Sequence, residues 1–401
     1  VSLYQIGQAN IRIWEILVAV FLLVVIMKSV IYKRSAFLNI EITIIILPFW
    51  ICACLSGMNA NNIGLWAKQI LLLFAMLLLF FIVSQRWARS QILQNIRFII
   101  YPGIIVAAWG LLEMLIAPDS LPGFNLDGSS MPRARALFVE PNEFSQFLAL
   151  PFAFIFSVLV YRRKISLLER LCLIIGLLVI VLAQVLSFSR GGMVAFFSEI
   201  FVWFALDSGF SDEKRDHSLL LKILITIALF VLTMSLMFGS EVELILNVFS
   251  DRMYSLFSGN DVTSKIRFEN IFLALSMTMD SYQNFVLGIG FGNLKLLLGE
   301  GVETTANIFV DIFSETGIVG MLAFLIIIIS ALVLPLRTLR YLVKNKDNEM
   351  LIVFFGAYMS FVGLIAGGLT YATHMLNFFW FSCGLLFALY QYRKFNYFIR
   401  E

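Results

Sequence analysis

Leu65-Trp66-Ala67-Lys68-Gln69-Ile70-Leu71-Leu72-Leu73-Phe74-Ala75-Met76-Leu77-Leu78-Leu79-Phe80-Phe81-Ile82-Val83 is an apolar run with one charge, Lys68, near its start. Its length decides the fold class, because about 20 apolar residues are what a helix needs to cross the bilayer hydrocarbon. Runs of the same kind recur along the chain. Before it they fall at about Ile13–Ile31 and Ile40–Leu55. After it come Ile96–Ile116, Phe144–Tyr161, Leu167–Leu186, Met193–Leu206 and Leu219–Phe238. The last three fall at about Ile308–Leu334, Leu351–Tyr371 and Leu376–Tyr390. Met193–Leu206 is short for a span and contains Glu199. The pattern predicts an all-α polytopic membrane protein with about 11 transmembrane helices in one integral domain over 1–401. Composition agrees. The chain is 60% hydrophobic and 14% charged, against roughly 45–50% and about 25% in soluble domains.

Charge sets the orientation. Alternate loops hold twenty of the 29 lysines and arginines, among them Lys33, Arg34, Arg86, Arg89, Arg162, Arg163, Lys164, Arg337 and Arg340. Such loops face the cytoplasm. The other nine, Arg12, Lys68, Arg133, Arg135, Arg190, Arg252, Lys265, Arg267 and Lys295, fall on the opposite side. This predicts an amino terminus outside and a carboxyl terminus inside. The first twelve residues carry no cleavable-signal pattern. A net charge of +3 gives no case for nucleic acid. Two histidines and four cysteines, all the cysteines inside apolar runs, give no metal-ligand cluster and no expected cofactor.

Two outer segments are long: Pro118 to Glu143 (118–143), and Gly239 to Asn307 (239–307), the large loop between the spans near 238 and 308. Within the second, Lys265–Met279 places Ile266, Ile271, Leu275 and Met279 at helical spacing, which predicts a helix at the membrane surface.

Four constellations on the outer side carry possible chemistry. Ser189-Arg190-Gly191-Gly192 follows a span. An arginine so close to hydrocarbon needs a partner, water or a cavity. The paired Gly191 and Gly192 allow close backbone approach and offer amide donors at the start of the next helix. Two readings stand here, an anion site for a phosphate or diphosphate and a snorkelling arginine beside a tight turn. Arg133-Ala134-Arg135 precedes Glu140-Pro141-Asn142, a helix start that makes either a cation-lined mouth or a salt-bridged loop. Lys265-Ile266-Arg267 lies upstream of Gly288-Ile289-Gly290-Phe291-Gly292, whose glycines let a loop fold tightly against the bilayer. Asn307 precedes Asp311 and Glu315, four apart on one helical face, each a general base or a partner for an arginine. His374, in the outer turn between the last two spans, titrates near neutrality and can take a proton. Glu199, inside a span, suits either a proton relay or a packed polar residue.

These elements, in this order, resemble the O-antigen ligase and polymerase superfamily, over roughly Arg133 to Leu334. The resemblance rests on the Ser-Arg-Gly-Gly at 189–192 and on the arginine and Pro-Asn element from Arg135 to Asn142. It rests also on Arg267 with Leu287-Gly288-Ile289-Gly290, and on the Asn307 to Gly320 element. It implies a GT-C-like, metal-independent, inverting glycosyltransferase in the bacterial inner membrane, working at the periplasmic face. The donor implied is an undecaprenyl-diphosphate-linked glycan. Arg190, Arg267, Arg135 and Arg133, with Gly191 and Gly192, would hold the diphosphate, and Glu140, Asn142 and Asn307 would complete the site. A chain-length regulator and membrane lipid are the other partners implied. The sequence departs from the family at Ala306, where a histidine is usual. That leaves Glu315 as first candidate for the catalytic base and His374 as second, with Asp311 beside them, and it favours the polymerase branch over the ligase branch.

Overall fold

The computed structural model describes residues 2–6, 9–12, 40–85, 89–126, 129–162, 165–210, 250, 262–298 and 304–398. The expected spans at Ile13–Ile31 and Leu219–Phe238 lie outside the described residues. Two short hairpins, β1 (Ser2–Ile6) with β2 (Ala9–Arg12) and β3 (Gly123–Leu126) with β4 (Ser129–Pro132), accompany the helices. The helices begin with α1 (Ile40–Leu55), α2 (Ile63–Val83), α3 (Arg89–Ile116), α4 (Pro141–Tyr161), α5 (Leu167–Leu186) and α6 (Arg190–Phe210). Then come α7 (Val262–Met279), α8 (Tyr282–Leu287), α9 (Leu294–Leu297) and α10 (Ile308–Val333). The last are α11 (Leu336–Lys344), α12 (Asn348–Gly367) and α13 (Asn377–Phe398).

Among the described residues, 8 helices are long and apolar enough to cross a membrane. They fall on eight of the stretches expected from the sequence, so the protein is a helical polytopic membrane protein. α13 covers the expected Leu376–Tyr390 but is not one of the 8. Its apolar content is largely aromatic, with Asn377, Gln391, Arg393 and Lys394 interspersed. The short stretch Met193–Leu206 extends to Arg190–Phe210. The Ser189 hydroxyl accepts the Gly192 N–H (3.3 Å), an N-cap that starts the helix one turn before its apolar run.

The chain divides into two compact units: Val1–Trp87 with Ile266–Thr338 and Gly368–Glu401, and Ala88–Lys265 with Leu339–Gly367. In the first unit α1 packs on α10 and α13 on α2. Phe49, Phe80, Phe324 and Trp380 meet at their centre, with Phe49–Phe324 ring centroids 5.2 Å apart and Phe80–Trp380 6.3 Å. Lipid tails are as apolar as these rings, so close packing of the rings rather than escape from water holds this core.

In the second unit α4 and α12 pack on each other; α3, α5 and α6 also pack on α4, and α6 also packs on α12. The spans of α4 and α12 are 89% and 83% buried, against 22–33% for α3, α5 and α6. A helix apolar on every side and buried on every side is a core helix, whereas the other three leave a face for lipid. Ile105, Leu115, Ile175, Phe197 and Phe201 are exposed on those faces.

Candidate functional site

The expected site residues fall into two groups, one in each unit. In the second unit Arg133-Ala134-Arg135 runs beside the end of α5. The Ala134 N–H donates to the Leu186 carbonyl (3.0 Å), and Arg133 Nε donates to the Ser187 carbonyl (2.9 Å). Arg133 also donates to the side-chain oxygen of Asn142 (3.1 Å). Two constellations some fifty residues apart in sequence are thereby joined, because Ser187 opens the turn that ends at Arg190. That turn reverses the chain through Phe188, at φ 46°. Arg190 is the first residue of α6 and is buried. Arg135 lies 3.9 Å from Glu113 and donates to the Ser120 carbonyl (3.4 Å). Glu140 stands at the N-cap position of α4, with Pro141 as its first residue, as the Pro-Asn pair predicts.

Gly192 does a different job from the one its position suggests. Its Cα faces Ser145 and Gln184, and a side chain there would overlap both. The close approach is therefore made by α4 and α5 rather than left open for a ligand. Gln184 donates to Ser145 Oγ (3.3 Å), and Gln146, fully buried, has neither amide atom bonded among the described residues. Two turns further along α6, Glu199 is fully buried against Gly363, and its carboxyl oxygens likewise have no hydrogen-bond partner among the described residues. Gln146 and Gln184 escaped sequence reading because isolated glutamines in apolar runs carry no pattern.

In the first unit Asn307, Asp311 and Glu315 lie along the start of α10, and Glu315 and His374 border the loop from Gly288 to Leu294. Asn307 caps α10: its side-chain oxygen accepts the N–H groups of Phe309 (3.0 Å) and Val310 (3.3 Å). The preceding Ala306, at φ 61°, sets the entry angle. Asp311 Oδ1 accepts both the N–H (2.9 Å) and the hydroxyl (2.6 Å) of Thr305. Glu315 receives backbone N–H groups from Gly292 and Leu294, and Lys295 and Asp311 are the charges that act on it.

α10 breaks its helical geometry at Gly317 (φ 69°, ψ −174°). At this kink the Ser314 carbonyl accepts the Ile289 N–H (2.9 Å), and Gly288 (φ 80°) lies directly on the Glu315–Thr316 peptide. The glycine loop that the sequence suggests is folded against the bilayer is thus folded against α10. Its far side is pinned by polar residues at the ends of α1 and α2. Asn59 donates to the Gly288 carbonyl (2.9 Å), Ser56 Oγ accepts the Phe291 N–H (2.9 Å), and Asn293 accepts the Asn62 N–H (2.8 Å).

His374 is buried beside Phe291, ring centroids 6.2 Å apart, and its Nδ1 has no hydrogen-bond partner among the described residues. Burial pushes the imidazole down to about 3, so it is neutral at pH 7. Arg267 lies on α7, two turns before Ala274 and on the same helix face. Ala274 packs with Ile289, Leu294 and Leu298, which ties α7 to the glycine loop. The surface-helix pattern at Lys265–Met279 is realised as a helix, with Ala274 and Thr278 inward and Ile266, Phe272 and Met279 exposed. Among the described residues no three His, Cys, Asp or Glu side chains group as metal ligands.

The chain matches no protein-family model and no curated protein. Its fold and composition define a helical polytopic membrane protein.

Proposed function

We propose that this protein is a polysaccharide polymerase, joining undecaprenyl-diphosphate-linked oligosaccharide repeat units at the outer face of the bacterial inner membrane. The observation that carries the reading is the stitching of Arg133-Ala134-Arg135 to the Leu186–Arg190 turn, which gathers cationic residues from two distant stretches at one end of one unit. In this reaction an acceptor hydroxyl attacks the anomeric carbon while the bond from that carbon to the diphosphate oxygen breaks. The leaving diphosphate takes the electron pair, and the hydroxyl proton passes to a base. Charge grows on the diphosphate as the bond breaks, and fixed guanidiniums in a partly dry site stabilise that growth more than they stabilise the ground state. Arginine suits this better than lysine, because its planar fork pairs with phosphate oxygens and stays protonated. No metal is required by this scheme. The sequence candidates for receiving the proton, Glu315 and Asp311, belong to the other unit, and His374, pushed down to about 3 by burial, is a poor base at neutral pH.

The test is the full chain, purified and supplied with a lipid-linked repeat unit. A ladder of lengthening products supports a polymerase. A product formed only on a lipid A core oligosaccharide makes the protein a ligase instead. Glu199, buried without a hydrogen-bond partner among the described residues, favours a second reading, a transporter of lipid-linked glycans. Flux of the lipid-linked unit across vesicles, with no glycosidic product, would establish that one.

A further inference from the structure

At the opposite end of the second unit from Arg133 and Arg190, a cavity of about 340 Å³ opens between α3, α4, α5 and α12. The 20 residues of α5 separate the two ends, about 30 Å at helical rise. Four charged side chains border the cavity: Arg97, Arg162, Glu169 and Glu349. They stand where the four spans end, on the side that the charge asymmetry assigns to the cytoplasm. One turn deeper, Ile100, Val158, Leu173 and Ile352 make an apolar wall.

The charges are unequally occupied. Arg162 pairs with Glu169 (2.7 Å), and Glu349 pairs with Arg89 (2.9 Å). Arg97 has no ion-pair or hydrogen-bond partner among the described residues. Each bridge uses one oxygen of its carboxylate, Oε1 of Glu169 and Oε2 of Glu349. A ligand matching this rim carries an anionic group for Arg97 and a hydrogen-bonding cation for the carboxylates, with an apolar tail for the wall. A free phosphate has neither cation nor tail. We propose that this cavity binds the headgroup of a phosphoethanolamine phospholipid, its phosphate on Arg97 and its ammonium between Glu349 and Glu169. The wall then carries the first part of an acyl chain. This site is independent of the polymerase reading.

Native mass spectrometry of the full chain in detergent tests the assignment with three lipids of equal chain length. Phosphatidylethanolamine has a phosphate and an N–H cation. Phosphatidylcholine has a cation without N–H, and phosphatidylglycerol has no cation. Charge-assisted hydrogen bonds are the discriminating contacts, so retention of phosphatidylethanolamine should exceed that of the other two about tenfold. Arg97→Ala should lower its retention by about the same factor, and Glu349→Gln should erase its advantage over phosphatidylcholine. Both positions are exposed, so the variants keep the fold, checked by gel filtration. Arg170→Ala, at the same end of α5 but outside the cavity, should change nothing. Equal retention of phosphatidylglycerol or phosphatidylcholine overturns the proposal. So does an Arg97→Ala variant that retains lipid like the wild type, or displacement of the lipid by millimolar inorganic phosphate.

Discussion

Replacing Gly317 by Ala asks whether the glycine loop and the α10 kink are one structure. Three costs follow from the geometry. At φ 69° and ψ −174° a residue with a Cβ sits in a region that is essentially glycine-only, worth about 1–3 kcal/mol. The new Cβ would overlap the Val286 carbonyl and lie 2.7 Å from the Gly288 nitrogen. These are backbone atoms that cannot swing aside, and overpacking of this kind costs about 1–3 kcal/mol. Relief of the overlap pushes the loop away and breaks the Ile289–Ser314 hydrogen bond, worth about 1 kcal/mol. The sum is roughly 3–7 kcal/mol, a large share of the roughly 5–15 kcal/mol that holds a folded domain. Denaturant unfolding in detergent, followed by tryptophan fluorescence, reads the loss directly. Gly209→Ala is the control: nothing lies within 4 Å of a Cβ there, and helix propensity alone gives a gain of about 0.5–1 kcal/mol. A Gly317→Ala variant within about 1 kcal/mol of the wild type refutes the packing.

Two further outcomes follow from the same unit. Asn307→Ala removes the cap of α10 and should cost about 0.5–2 kcal/mol, whereas Asn307→Asp keeps an acceptor and should cost little; equal stability of all three proteins in the same unfolding assay would remove the cap. Burial holds the His374 imidazole at about 3 in the folded protein, below its ordinary value of 6.5, so the unfolded chain binds the proton more readily. Stability from this group is complete above pH 6.5 and is lost as the pH falls toward 3. His374→Phe should flatten that part of the stability–pH curve; an unchanged slope would show that His374 is not the group responsible.

The spans were readable because the bilayer imposes a length that no soluble context does, and eight of the expected stretches appear as helices of that length. Local chemistry was readable where it acts within one turn. Pro141 opens α4 as the Pro-Asn pair predicts. The start of α6 was not, because Arg190, Gly191 and Gly192 interrupt the apolar run while Ser189 supplies a cap that hydropathy does not register. Asn307 reads as a site residue but spends its side-chain oxygen on the first turn of α10. The Gly288 loop and the Gly317 kink are each visible as glycines. That each is the other's packing partner depends on contacts across about thirty residues of chain, which periodicity cannot reveal. Gly192 likewise reads as an opening for a ligand and is instead filled by Ser145 and Gln184.

The most direct measurement is the rate at which undecaprenyl diphosphate is released from a lipid-linked repeat unit by the wild type and by Arg190→Lys, at equal membrane insertion. Lysine keeps the charge and loses the fork, so the account predicts release slowed by about 100-fold, the scale of one lost transition-state donor group. Release by Arg190→Lys at the wild-type rate would contradict it.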